Sequence, residues 1–143
     1  MILTDINVLV YAFREDSPDH DRFRDWLQTC LRGNEPLALS DSVLSGFLRI
    51  VTHPKVFYPP TPWDRAREFV EALRSAPTAV RVNPGGLHWE LFMGLCERVD
   101  ARGNSLPDAL LAALAIERGC CLYSADHGFA RFPGLRWAHP LRP

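Results

Sequence analysis

The chain has 143 residues, with sixteen basic and seventeen acidic side chains, a formal net charge of −1 and a 47% apolar share. That length suits one domain, burying roughly 68–70% of the surface its unfolded chain would expose. The near-zero charge excludes a general nucleic-acid coat, which needs a strongly basic face, but it leaves room for an enzyme with a local basic rim. No apolar run approaches the ~18 residues that span a membrane. Cys30, Cys96, Cys120 and Cys121 have neither zinc-type CxxC spacing nor a disulfide framework. They are expected to be buried thiols of a cytoplasmic protein.

Ile2–Thr4 reads as a short buried strand and Val8–Phe13 as the helix after it, with Asp5 between them. Asp16-Ser17-Pro18-Asp19 is a turn cluster. It leads into an amphipathic helix over 20–31, where Phe23, Trp26, Leu27, Cys30 and Leu31 share one face. Residues 36–40 form a second strand and 42–52 a helix with Val43, Phe47 and Ile50 inward. The prolines of 53–62 exclude a continuing helix. Their Val56-Phe57-Tyr58 needs cover, either under the domain or at a partner surface.

Residues 63–76 are again amphipathic. Residues 79–82 form a third strand and 87–102 a helix with Leu87, Leu91, Leu95 and Val99 in line. The segment 106–118 is apolar nearly all round, so it is expected between layers. Cys120–Ser124 is a fourth strand closing on Asp126, and 135–138 a fifth. Strands alternating with helices predict an α/β fold with a mainly parallel sheet.

Asp5, Asp108 and Asp126 are the candidates for chemistry. Each has a structural alternative. Asp5 suits a helix N-cap, Ser105-Leu106-Pro107-Asp108 matches a capping box, and Asp126 fits a turn. In this fold class, however, strand ends and helix starts converge on one edge of the sheet. Three carboxylates there repel one another unless a cation sits among them. Hard oxygen ligands favour Mg²⁺ or Mn²⁺. Such an ion suits phosphoester hydrolysis.

Other groups carry less. Asp19-His20-Asp21 starts a helix and reads as a solvated face. The remaining histidines lack zinc spacing, no G-x-S-x-G elbow is present, and Gly85-Gly86 lacks the rest of a P-loop. Arg14, Arg49, Lys55, Arg65 and Arg67 are candidates for a phosphate track or for ordinary solvation.

The sequence resembles the PIN-domain family, and within it the VapC-type toxins of bacterial toxin–antitoxin pairs. The resemblance rests on Leu3-Thr4-Asp5-Ile6-Asn7-Val8-Leu9, Phe47-Leu48-Arg49-Ile50-Val51-Thr52-His53-Pro54, Leu106-Pro107-Asp108-Ala109-Leu110-Leu111-Ala112, Ser124-Ala125-Asp126-His127-Gly128-Phe129 and the tail Phe132-Pro133-Gly134-Leu135-Arg136-Trp137. It spans essentially the whole chain, read as a single domain over 1–143. It implies a small Rossmann-like fold with a mainly parallel sheet of about five strands flanked by helices. It also implies a Mg²⁺- or Mn²⁺-dependent endoribonuclease acting on RNA, often a homodimer, held in check by a cognate antitoxin. Asp5, Asp108 and Asp126 would be the catalytic and metal-binding acids. Asn7, Ser124, Ser45 and Arg49 would support them or orient substrate.

One departure stands out. The family usually places a glutamate just before the Phe-Leu-Arg segment, where this chain has Gly46. Asp41, about 140° away around the helix at 3.6 residues per turn, is a poor substitute. Weaker metal binding is expected, tightened by introducing Glu at 46. Two further classes fit the same residues. One is a PIN domain that binds protein or RNA without useful cleavage, and the other is an α/β phosphatase for small phosphate esters.

Overall fold

The computed structural model describes residues 1–142. Five strands, β1 (Ile2–Thr4), β2 (Leu37–Leu39), β3 (Ala79–Arg81), β4 (Cys121–Tyr123) and β5 (Arg136–Ala138), form one sheet in the order β3-β2-β1-β4-β5. All four pairings are parallel. The helices are α1 (Ile6–Phe13), α2 (His20–Arg32), α3 (Asp41–Val51), α4 (Trp63–Arg74), α5 (His88–Val99) and α6 (Ser105–Arg118), with a 3-10 turn at His127–Arg131.

Each strand is only three residues long, and the central three, β1, β2 and β4, deliver alternate side chains to two separate cores. Ile2, Leu37 and Leu39 join Val8, Leu9, Phe23, Leu27, Phe47 and Val70 beneath α1–α4. Leu3, Ala38 and Leu122 join Leu95, Ala112, Leu114 and Phe129 beneath α5 and α6. The fully buried, apolar Leu37-Ala38-Leu39 of β2 is what a strand covered on both faces requires.

The strand order locates the crevice. From β1 the chain steps outward to β2 and β3, then returns across the sheet through α5 and α6 to β4 on the opposite side of β1. The crossovers therefore diverge between β1 and β4, and ligands bind at such a switch point, beyond the carboxyl ends of the strands. Asp5 follows β1 directly. Asp126 lies three residues after β4, whose Tyr123 pairs with Thr4.

Two expectations need correction. Segment 106–118 is not surrounded by protein: Ala109, Ala112, Ala113 and Ala115 pack inward, but Leu106 and Leu110 are exposed. Small residues on one side, with Leu114, let α6 lie close to α5 and the sheet, and this leaves Leu106 and Leu110 on the outer side. The four free thiols are not all buried, because only Cys120 is enclosed while Cys30, Cys96 and Cys121 are half-buried. The proline-rich segment divides in the same way. Phe57 packs on the core beneath the Arg14 guanidinium, 4.1 Å from its ring centre, whereas Val56 and Tyr58 stay exposed. Among the described residues no helix is long and apolar enough to cross a membrane.

Candidate active site: a carboxylate crevice organised by Ser124

The crevice is built around a buried hydroxyl. Ser124, at the end of β4, is fully enclosed. Its Oγ donates to Asp5 Oδ2 at 2.8 Å and accepts from the Asp126 backbone N–H at 3.0 Å and from Asn7 Nδ2 at 3.3 Å. A hydroxyl has one donor and two acceptor positions, so these three bonds use its whole capacity. Asn7 closes the link from the other side, its Oδ1 accepting the Ala125 N–H at 3.3 Å. The first turn of α1 and the loop after β4 are thereby locked together, and Asp5 is held between them.

Asp5 also keeps a capping role, since its Oδ1 accepts the Ile6 N–H at 2.8 Å. Burial raises its pKa. The Ser124 and Ile6 hydrogen bonds oppose that shift, and the charge of Asp126 adds to it. Asp126 serves its turn as well, Oδ1 accepting the Gly128 N–H at 2.8 Å. Asp108 does not form the capping box. Ser105 Oγ turns back to Arg102 instead, accepting its N–H and donating to its carbonyl, each at 2.8 Å.

Asp108 is thus left facing the crevice. Partial burial raises its pKa, the charges of Asp5 and Asp126 raise it further, and Arg131 lowers it. The mutual influence of the three acids places them in one electrostatic neighbourhood. Their chemistry, oxygen only, fits a hard divalent cation. Among the described residues, however, no three His, Cys, Asp or Glu side chains close around one point as a ready-made cage. The fit is therefore to an ion that keeps much of its water and takes one or two carboxylates directly, which is the habit of Mg²⁺.

Arg131 was not among the sequence candidates. Its Nη2 lies 3.8 Å from Asp108 Oδ2. The 3-10 turn after Asp126 carries it there, and its guanidinium lies over the Phe132 ring. Only its place five residues after Asp126 hinted at this. Ser45 and Arg49 are exposed and make no hydrogen bond or ion pair with the three acids. Ser45 donates to the Ser42 carbonyl of its own helix. Arg14 is consumed by Asp16, the Pro59 carbonyl and Thr61. Asp41 pairs with Arg81 at 2.6 Å.

Gly46 is a point of close approach between α3 and α1. A Cβ there would overlap Ile6 Cδ1 and stand 3.1 Å from its Cγ1. The space a side chain at 46 would enter first is filled by the residue following Asp5. The simple substitution expected to tighten Mn²⁺ is therefore not a clean one. Gly46→Glu alone should lower the unfolding midpoint, since overpacking costs about 1–3 kcal/mol. Gly46→Glu combined with Ile6→Val, which removes Cδ1, should bind Mn²⁺ more tightly in calorimetry. Unchanged affinity in the double variant would sink the idea.

Comparison with known proteins agrees with this geometry. The sequence matches the PIN domain family over residues 2–135. It is 50% identical over 141 residues to ribonuclease VapC43 of Mycobacterium tuberculosis, covering 99% of this chain and 96% of that one. It is 39% identical over 140 residues to ribonuclease VapC25 of the same species, covering 98% and 99%. The fold is also that of VapBC2 from Rickettsia felis bound to a promoter DNA fragment (TM-score 0.72, 19% identity, 97% and 98% covered). A further match is the sarcin–ricin loop cleaving toxin VapC20 of Mycobacterium tuberculosis (TM-score 0.69, 16% identity, 95% and 99% covered). A parallel five-stranded sheet, an acid after β1, another after β4 and this likeness along nearly the full chain converge: the chain belongs to the PIN-domain family and, within it, to the VapC-type branch.

Proposed function

We propose that residues 1–143 act as one catalytic domain, a Mg²⁺- or Mn²⁺-dependent endoribonuclease that serves as the toxin of a cytoplasmic toxin–antitoxin pair. The observation that carries the proposal is the Ser124 hub, which spends a fully buried hydroxyl on orienting Asp5 and the Asp126 loop toward the same crevice. Asp5, Asp108 and Asp126 would hold the ion. Such an ion activates water and neutralises charge on a phosphodiester. Asn7 and Ser124 keep Asp5 in place. Arg131, beside Asp108, is positioned to meet substrate phosphate. Single-stranded RNA is the better substrate form, because unstacked nucleotides expose their backbone.

The partners are proposed from the structural neighbours, which include VapBC assemblies and a toxin–antitoxin complex from Klebsiella pneumoniae. A cognate antitoxin would cover this chain likewise. A homodimer is proposed as its free form, with the exposed Leu106, Leu110, Trp89 and Met93 as candidate apolar contacts. The test uses purified, antitoxin-free protein on a broad RNA panel with Mg²⁺ or Mn²⁺, against EDTA, alongside a chromogenic phosphate ester. Metal-dependent RNA cutting with an inert ester is the expected result. Ester hydrolysis without RNA cutting would favour the phosphatase reading. A well-folded protein that does neither but binds its antitoxin would be a binding module.

A further inference from the structure

The acid crevice poses an electrostatic difficulty for a polyanionic substrate, and the chain's net charge of −1 offers no general attraction. Any pull on RNA must be local. The basic residues favoured by sequence do not supply it: Arg14 is tied up in its own loop, and among the described residues the ion pair to the three acids is made by Arg131 and by none of Arg49, Lys55, Arg65 and Arg67. Beside the crevice, on the β5 side, a different group of side chains meets the requirement.

His127, adjacent to Asp126, stacks on His139, which directly follows β5, with ring centres 5.6 Å apart and planes 23° from parallel. The Arg142 guanidinium lies 3.3 Å from His127 Nε2 and donates to it. The Leu141 N–H donates to His139 Nδ1 at 3.1 Å. These bonds settle the neutral tautomers. The neutral rings then carry their N–H on His139 Nε2 and on His127 Nδ1. The rest of the Arg142 fork adds further donors. Under His127 lies Trp137, in edge contact at 5.3 Å, whose buried Nε1–H has no acceptor among the described residues.

A cluster that carries two imidazole N–H groups and a guanidinium complements phosphate oxygens. It borders a cavity of about 160 Å³ whose lining includes Tyr11, Arg22, Ala125, His139 and Arg142 together with one carboxylate, Asp19, which pairs with Arg22 at 3.6 Å. Ala125 sits between Ser124 and Asp126, so the cavity opens directly beside the crevice. Two guanidinium groups, Arg22 and Arg142, line this cavity against the single carboxylate of Asp19. Burial lowers the His139 pKa, the charges of Arg142, His127 and Arg22 lower it further, and only Asp19 opposes them.

We propose that His127, His139 and Arg142 form a phosphate subsite for the RNA strand flanking the bond to be cut, leading the chain past the β5 edge into the carboxylate crevice. The inference rests on the ribonuclease reading and adds to it the path of the substrate. No bond is made or broken there; the subsite binds and orients.

The test uses the full chain carrying Asp108→Asn, in EDTA, so that RNA binds without being cut. Affinity for a short fluorescein-labelled single-stranded oligoribonucleotide is read by anisotropy over a salt series. Adding Arg142→Gln should weaken binding by about tenfold and reduce the salt slope by about one phosphate contact. Arg142→Lys should restore the slope, and the unfolding midpoint should not move in either. In the cleaving protein, Arg142→Gln should raise KM and spare kcat. Equal affinity and slope in the Gln variant would overturn the subsite while leaving the ribonuclease reading intact. So would normal RNA affinity with lost antitoxin binding, which would make this a protein-binding face. A parent chain that neither binds nor cuts any RNA would overturn both readings.

Discussion

Asp108→Asn should lower RNA cleavage by about 10²–10³-fold, a loss comparable to removing one preorganised electrostatic group from an active site. The same change should leave the metal-free fold no less stable. Asp108 makes no hydrogen bond to its own helix cap, and its nearest cation, Arg131, is 3.8 Å away and partly exposed. An ion pair of that kind contributes little. What Asp108 does experience is burial and the charges of Asp5 and Asp126, which together raise its pKa.

The sign of the pH dependence follows. A carboxyl whose folded pKa lies above its unfolded value favours folding while protonated, and that contribution is lost as pH rises through the folded pKa. Asp5 and Asp108 are both raised from 3.8. Without metal, ionising either carboxyl in the folded chain therefore costs stability, and that cost grows as pH rises. The unfolding midpoint of Asp108→Asn should equal or exceed that of the parent at neutral pH, and the advantage should shrink as pH falls toward about 4. A strongly destabilised variant at neutral pH would show that Asp108 holds the fold together and would remove the contrast between function and stability.

Ser124→Ala is expected to damage both. The hydroxyl is fully buried, and its loss leaves Asp5 Oδ2, the Asp126 N–H and Asn7 Nδ2 each short of a partner. Stranded buried polar groups cost about 1–3 kcal/mol. Freed from that bond, Asp5 loses one of the two contacts that aim it. Outer contacts of this kind typically affect metal affinity or activity by about 10–100-fold. Thermal unfolding and Mn²⁺ calorimetry on Ser124→Ala measure the two effects separately. Cleavage within twofold of the parent would mean that Asp5 needs no orienting hydroxyl.

The sheet was legible in the sequence because short, largely apolar segments bounded by turn residues alternate with helical patterns. Asp5 and Asp126 were legible because each closely follows such a strand. Asp108 was ambiguous. Its capping-box pattern is genuine in sequence, and only the turn of Ser105 toward Arg102 shows that the pattern goes unused. Arg131 and the His127–His139–Arg142 group were not legible, because their positions depend on a 3-10 turn and on how the tail folds back after β5. Neither has a period to read. The closeness of Ile6 to Gly46 was hidden too, as a contact between two helices from separate parts of the chain.

If Asp5, Asp108 and Asp126 together make a divalent-cation centre, Mn²⁺ must raise the thermal unfolding midpoint of the RNA-free chain through all three. Ligand at 100 times its Kd stabilises by about 2.7 kcal/mol, which for a domain of this size is roughly 5–10 °C. The expected result is a rise of that order in the parent, largely lost in Asp5→Asn, Asp108→Asn and Asp126→Asn. Equal Mn²⁺ shifts in the parent and all three variants would contradict the account and place the cation elsewhere.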